Sequence, residues 1–259
     1  MKAVSDTRVA EDVDSYDPCL IGPLSDGTAC RRGAAVANAL ATARQADLLS
    51  ATTLDSEPLP RSHRDSHSQP PTPLNTGQDI QPVVSEQDPS LVVMERESRP
   101  TLLSGLRANP AERVATETDV LTVDRRGQAD TIASVLVPIA GGRHSQLAVE
   151  AAAAIADAND AAIDLFHVIE ADGKTSHEHG EQLLATAATT LSDLDEVDTW
   201  LYEAPSAAEA ITEQATYYDL TVMGAPTVGP LKRLVFGSTA TNVQQDADAP
   251  IVVAHAHGP

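Results

Sequence analysis

From position 134 onward the chain alternates short apolar runs with longer stretches of helical spacing. Residues 134–139 (SVLVPI) form a β-branched run closed by Gly141 and Gly142, and 146–158 is an Ala-rich stretch with apolar residues three and four apart. The run at 163–169 (IDLFHVI) predicts a second strand and 178–191 a second helix. Residues 198–203 (DTWLYE) alternate like a third strand, and 206–215 predicts a third helix whose first turn has capping-box spacing, Ser206 followed by Glu209. An apolar run at 220–223, a helix opening at Ser238 and a closing strand at 250–254 (PIVVA) complete the series. This βαβαβαβαβ order calls for a parallel sheet with helices on both faces and right-handed crossovers.

The first half repeats the order more faintly. Residues 19–23 (CLIGP) correspond to SVLVPI, 32–46 to the Ala-rich helix, and 48–54 to the second strand. Residues 90–94 (SLVVM) correspond to LTVM, 109–116 to the helix from Ser238, and 119–123 (DVLTV) to PIVVA. Self-similarity at a period near half the chain implies a duplicated unit. The expected division is 1–128 and 129–259. Between the second strand and SLVVM lies a Pro-, Ser- and His-rich insert, about 56–82, whose prolines argue against a regular helix. The first unit is therefore expected to have exchanged an internal α/β element for a loop.

Charge changes the picture next. The 259-residue chain carries a formal charge of −21, with Lys and Arg totalling 17 against 38 Asp and Glu. Arg outnumbers Lys 14 to 3, and aromatic residues make up only 3%. Such a composition resembles the acidic, Lys-poor proteins of salt-loving archaea, whose self-repulsion weakens the fold at low ionic strength. It also argues against nucleic acid, because no basic stripe or aromatic platform is present. Cys19 and Cys30 have neither metal-type spacing nor a partner set and read as reduced thiols. The polar, acidic start and the lack of any run near the ~20 apolar residues of a membrane helix predict a cytoplasmic protein without membrane insertion.

One segment points to a ligand. After the run ending at Met223, GAPTVGPLKRLVFGS (224–238) is a glycine-bounded loop that leads into a helix. A strand stopping at Gly224, further glycine at Gly229, and Gly237-Ser238-Thr239 opening a helix aim backbone N–H groups at one point, an arrangement that binds anions and phosphate above all. From position 131 the chain has only four cations, Arg143, Lys174, Lys232 and Arg233, against 18 carboxylates, and three of the four fall in glycine-containing loops after strands. Lys232 and Arg233 lie inside the 224–238 loop itself, where they would add to the backbone donors. Pairing of these cations with surface carboxylates is the plainer alternative.

The loop, its place before the last helix and strand, and the strand pattern resemble the universal stress protein (UspA) family, well over 134–254 and faintly over 19–123. The resemblance implies an α/β chain of two tandem universal-stress-protein-like domains of the adenine nucleotide alpha hydrolase-like class. Each would be an open parallel five-stranded sheet in the order 3-2-1-4-5 flanked by helices, the first degenerate. Any ligand is then expected at the carboxyl ends of strands 1 and 4. Nucleotide-binding members have Gly, two residues, Gly, nine residues, Gly, then Ser or Thr. Gly224, Gly237 and Ser238 fit that spacing, whereas Thr227 stands at the middle position and glycine is displaced to Gly229. A β-branched residue resists positive φ and close approach of a phosphate.

By the same register Ile139 and Ala140 close strand 1, where the family usually has Asp for the nucleoside, and Gly141 and Gly142 follow. Val168 would meet the base through its backbone, Met223 would precede the loop, and Ser238 and Thr239 would receive phosphate. The resemblance thus implies ATP or AMP, with the phosphate half of the site kept better than the nucleoside half. In the first unit Glu95 replaces Gly224 and Asn109-Pro110 replace Gly237-Ser238, so that unit is expected not to bind. The family also pairs domains through their final strands. Here DVLTV and PIVVA would pair within one chain, and a further homodimer stays open.

Other constellations are weaker. His63 and His67 flank Asp65, His177 and His179 flank Glu178, and His255 and His257 end the chain, none with a full ligand set, so no metal is expected. His167 reads as a satisfied, half-buried ring. No nucleophile has a base beside it and no P-loop pattern is present, so slow ATP hydrolysis is the least supported activity and no catalytic residue is assigned. The expected function is a stress-response binding protein that takes a nucleotide or another anion. Its alternative is a ligand-free regulatory protein associated with a membrane amino-acid transporter.

Overall fold

The structure, a computed structural model, describes residues 19–24, 31–49, 81–96, 110–124, 131–170, 176–226 and 250–258, and every element and contact belongs to these residues. They run β1 (Cys19–Leu24), α1 (Arg31–Ala43), β2 (Asp47–Leu49), α2 (Gln81–Gln87), β3 (Leu91–Arg96), α3 (Pro110–Val114) and β4 (Asp119–Asp124) in the first half. The second half holds β5 (Ser134–Pro138), α4 (Gly142–Asn159), β6 (Ala162–Glu170), α5 (His177–Thr190), β7 (Val197–Ala204), α6 (Ala207–Ala215), β8 (Leu220–Gly224) and β9 (Ile251–His255).

All nine described strands join one sheet in the order β2-β1-β3-β4-β9-β8-β5-β6-β7. Numbered within the second half, its strands stand 3-2-1-4-5, the expected doubly wound order. The described strands of the first half stand 2-1-4-5, with no strand at position 3. Every pairing is parallel except β4 with β9, where Val120 faces His255 and Val123 faces Val252 in antiparallel register. The two halves therefore share a single α/β sheet, joined edge to edge rather than standing as separate sheets.

Burial explains the sheet's composition. Strands covered on both faces read as continuous apolar runs, and β5, β8 and β9 are built almost wholly of buried residues. On one face α1, α4 and α5 pack in a continuous core that includes Leu20, Leu91, Leu121, Val135, Ile163, Leu220 and Val252. Ala37 of α1 and Ala148, Ala151 and Ala152 of α4 are fully buried, so small side chains let these helices approach the strands closely. On the opposite face α2 and α3 cover Ile21, Val92 and Val120. Farther along it α6 covers Leu136, Phe166 and Val168.

Local signals account for several element ends. Ser206 caps α6 as its spacing predicts, its Oγ accepting from the Glu209 amide at 3.4 Å, and Ser176 caps α5 in the same way. Asp219 fixes the start of β5 by accepting from the amides of Ala133 and Ser134 at 2.9 and 3.1 Å.

Two expectations need correction. The Pro-rich insert is not helix-free to its end, because α2 starts at Gln81 with Pro82 as its second residue. Proline is tolerated in a first turn, where its missing N–H has no intrahelical partner to lose. The Ala-rich helix begins at Gly142 rather than 146, one turn earlier than its alanines predict. The helix from Ser238 lies outside the described residues.

Leu121 is fully buried on β4, where it faces α1 and α4 beside the antiparallel seam. Leu121→Ala is expected to cost about 3 kcal/mol of unfolding free energy, whereas Tyr217→Ala, on a residue 74% exposed, is expected to stay within about 0.5 kcal/mol. Denaturant midpoints at fixed salt check both.

Candidate functional site

The strand order reverses at β5. The chain moves from β5 through β6 to β7 on one side, then returns to β8 and β9 on the other. In open α/β sheets the crevice beyond the carboxyl ends of strands at such a point is where ligands sit. In this sheet that crevice is bounded by the residues after β5, the first turn of α4 and the end of β8.

The backbone beyond β5 is held from two sides. Ile139 N–H donates to the Phe166 carbonyl at 2.8 Å, which prolongs the β5–β6 ladder. His167 Nδ1–H donates to the Ile139 carbonyl at 2.6 Å, which fixes the imidazole tautomer. His167 is buried, not half-buried as its strand context suggests, and its Nε2 has no partner among the described residues. The chain then turns through Gly141 (φ 83°) and Gly142 (φ 75°), a region that L side chains rarely adopt. Ser145, buried one turn into α4, closes the turn by accepting from the Ala140 amide at 3.2 Å.

An α-helix leaves its first amides without intrahelical partners and carries a partial positive charge there. In α4 the N-cap is Gly141, no side chain caps it, and the first turn holds no acidic residue. The turn holds Arg143 instead, whose Nη1 donates to the His257 carbonyl at 3.0 Å. His144 Nδ1 accepts from the Ala256 amide at 3.0 Å. Burial, aided by the neighbouring Arg143 charge, lowers the His144 pKa below its ordinary value, while Asp119 acts in the opposite direction.

Gly224 ends β8 against this turn. A Cβ there would lie 2.7 Å from the His144 carbonyl carbon and 2.8 Å from Ser145 N, so strand end and helix start meet backbone to backbone. The first half meets the same geometry with the roles exchanged. Glu95 stands near the end of β3, and its side chain reaches Gly33 in the first turn of α1, where an added Cβ would come within 2.9 Å of Glu95 Cδ. A carboxylate thus occupies the helix start in one half, and bare glycine leaves it open in the other.

Of the residues that sequence assigns to the site, Ile139, Ala140, Gly141, Gly142 and Gly224 come together at this crevice, with Ala140 exposed and Ile139 buried. Val168 and Met223 are buried on the sheet face opposite α4, so only their backbones are available toward the strand ends. Thr227, Gly229, Lys232, Arg233, Gly237, Ser238 and Thr239 lie outside the described residues. Sequence reasoning missed His144 and Ser145, since nothing local shows that a helix starts at Gly142 or that a tail more than a hundred residues away reaches it. His255, grouped with the tail histidines, is instead the buried last residue of β9. His177 pairs with Glu203. Among the described residues no group of three or more His, Cys, Asp or Glu could hold a metal, and no helix is long and apolar enough to cross a membrane.

The model of the universal stress protein family matches residues 131–255, the stretch that carries β5 to β9. No curated protein sequence matches. Among solved structures, a universal stress protein from Archaeoglobus fulgidus DSM 4304 is similar at 17% identity over 70% of this chain, with a TM-score of 0.46. The match spans 65% of that chain, just under two thirds. A universal stress protein from Archaeoglobus fulgidus in complex with dAMP is similar at 19% identity over 49% of this chain and 99% of its own, with a TM-score of 0.34. A functionally unknown protein from Pseudomonas aeruginosa PAO1 is similar at 14% identity over 92% of both chains, with a TM-score of 0.43.

Gly142 and Gly224, two of the three glycines of the crevice, are expected to differ in cost. Gly142→Ala meets no atom within 4 Å, yet its positive φ is expected to cost about 1 kcal/mol. Gly224→Ala is expected to cost about 2 kcal/mol or more, because the atoms it strikes are backbone. A thermal or denaturant melt of each variant ranks them. For His144, the neutral ring is the form that accepts from Ala256, and folding lowers its pKa from the ordinary 6.5. The tail contact is therefore fully formed above that value and is lost as pH falls through the lowered pKa. An NMR titration is expected to place the His144 midpoint below 6.5, with protection of the Ala256 amide falling over the same range. A midpoint above it contradicts the lowered pKa.

Proposed function

We propose that this chain is a universal-stress-type binding protein that takes an adenine nucleotide, ATP or AMP, in its second half. One observation carries the reading: the uncapped start of α4, opened by Gly141 and Gly142 at positive φ and free of acidic residues, lies against Gly224 where the strand order reverses. The family match over 131–255 supports the same placement.

On this reading Ile139, Ala140 and the backbones of Val168 and Met223 form the nucleoside end, while Gly141 and Gly142 open the α4 start toward the phosphates. Gly224, Thr227, Gly229, Lys232, Arg233, Gly237, Ser238 and Thr239 form the phosphate end. The chain divides into units 1–128 and 129–259, paired through β4 and β9. The first unit binds nothing, because Glu95 places a carboxylate at the α1 start where phosphate would sit. The role is binding and regulation rather than catalysis, and no metal is required.

Equilibrium dialysis of labelled ATP and AMP against the full chain in multimolar KCl tests the proposal. Saturable binding of one nucleotide per chain, lost in Gly237→Asp, is the expected result. No saturable binding overturns it, and co-purification with a membrane transporter from the native host would then favour the ligand-free regulatory reading.

A further inference from the structure

The sheet ends on one side at β7, which pairs only with β6 among the described residues. Eight residues long, β7 presents one row of backbone N–H and C=O groups with no described strand beyond it. Its side chains alternate between faces. Leu201 packs into the core beneath α5, whereas Trp200 and Tyr202 point to the other face, where they stay 55% and 47% exposed. There α6 lies over β5 and β6 and leaves the β7 aromatics uncovered. Tyr202 contacts Phe166, with ring centroids 5.9 Å apart, so the aromatic surface continues inward from the edge.

A chain with one Trp, four Tyr and two Phe has few aromatics to expose. Tyr217, just beyond α6, is a third large side chain left in solvent, at 74%. Tyr and Trp are the residues that anchor protein interfaces. The surrounding charge has one sign. Residues 176–226 contain ten Asp and Glu and neither Lys nor Arg, and all ten except the half-buried Asp219 are exposed. Asp198 and Glu203 stand on β7 itself, one on each face, with Glu196 just before it.

We infer that the β7 edge is a docking site for an extended, positively charged segment of another protein, which adds as a tenth strand. The unpaired backbone supplies the ladder hydrogen bonds, the mode by which peptides extend exposed sheet edges. Asp198 on one face and, on the other, Glu203, which also pairs with His177, favour cationic side chains, and the aromatic rings of Trp200 and Tyr202 offer guanidinium groups a stacking surface. The same carboxylates disfavour a second copy, since each chain carries −21. The edge is separated from the α4 crevice by β6 and is independent of nucleotide binding.

Trp200 is the only tryptophan, so its fluorescence reports on this edge alone. The probe is the blocked octapeptide Arg-Val-Arg-Thr-Arg-Val-Arg-Thr, titrated into the full chain at two salt concentrations. Its control is the same peptide methylated on alternate backbone nitrogens, which keeps the charge and removes strand pairing. Saturable binding with a shifted Trp200 emission, weakened about tenfold or more by the methylation, is expected. With a labelled peptide, Trp200→Ala and Thr199→Arg are each expected to weaken binding about tenfold. Both positions are exposed, and far-UV circular dichroism checks the fold. Glu209→Gln on α6, which changes net charge without touching the edge, should weaken it less than about twofold. Equal binding of the two peptides, an unshifted Trp200, or a chain that self-associates through β7 and takes no peptide would each overturn the inference.

Discussion

The antiparallel pairing of β4 with β9 is the constraint on which the rest of the molecule depends. Both strands are buried along nearly their whole length, so neither could end a sheet without exposing a row of apolar side chains and unpaired backbone. Their pairing makes each the cover of the other and turns two parallel units into one sheet. Helices α1 and α4 then become neighbours across the seam, where Arg44 on the α1 side lies 3.8 Å from Asp119 and 3.7 Å from Glu150. These half-buried pairs, at separations beyond hydrogen-bond reach, add little energy by themselves. The buried residues beneath them, with Leu121 and Val252 facing the same helices, carry the association.

The candidate site inherits its shape from that seam. The residues after β9 run past Asp119, whose Oδ1 accepts from the His257 amide at 2.8 Å, and are held by Arg143 and His144 of α4. The first turn of α4 is thus pinned by a tail that the seam itself positions. Gly224 completes the arrangement by letting the end of β8 touch that turn at backbone distance. The first half puts its glycine on the helix, at Gly33, and its long side chain on the strand, at Glu95. Exchanging which element carries the glycine leaves packing intact and reverses the electrostatics. One helix start receives a carboxylate, and the other receives none.

Much of this was legible in the chain. The strands of the second half fall within a residue or two of their predicted places, because β5, β6, β8 and β9 are apolar, β-branched-rich runs of the kind a sheet covered on both faces demands, and β7 alternates as a half-exposed edge strand does. Ser206 was legible because an N-cap is a local interaction. Three features were hidden. The start of α4 carries two glycines that propensity assigns to a loop, and it is helical because Ser145 binds back to Ala140 and Gly224 packs against it. The start of α2 hides behind Pro82, a residue that ends helices elsewhere but not in a first turn. The contact of His144 with Ala256 spans 112 positions and leaves no local trace. Gly224 ends β8 at the crevice where the sequence put it, with Gly237 outside the described residues, whereas His144 and Ser145, which hold the other wall, came only from tertiary structure.

Charge bears directly on the anion site proposed for this crevice. Among the described residues from position 131 onward Arg143 is the sole Lys or Arg, and its guanidinium already donates to the His257 carbonyl. A side chain committed to the tail contributes long-range attraction but not a full set of direct contacts to a phosphate. The first-turn amides of α4, oriented by the helix and requiring no rearrangement, are then the principal donors on this wall. Amides bind by geometry, and that geometry exists only while Gly141 and Gly142 hold positive φ and the tail holds the turn. The acidity of the surrounding surface works in the same direction. Across a charge of −21, an anion gains little until salt screens the approach, and the backbone donors that remain are the ones salt weakens least because they act at contact distance.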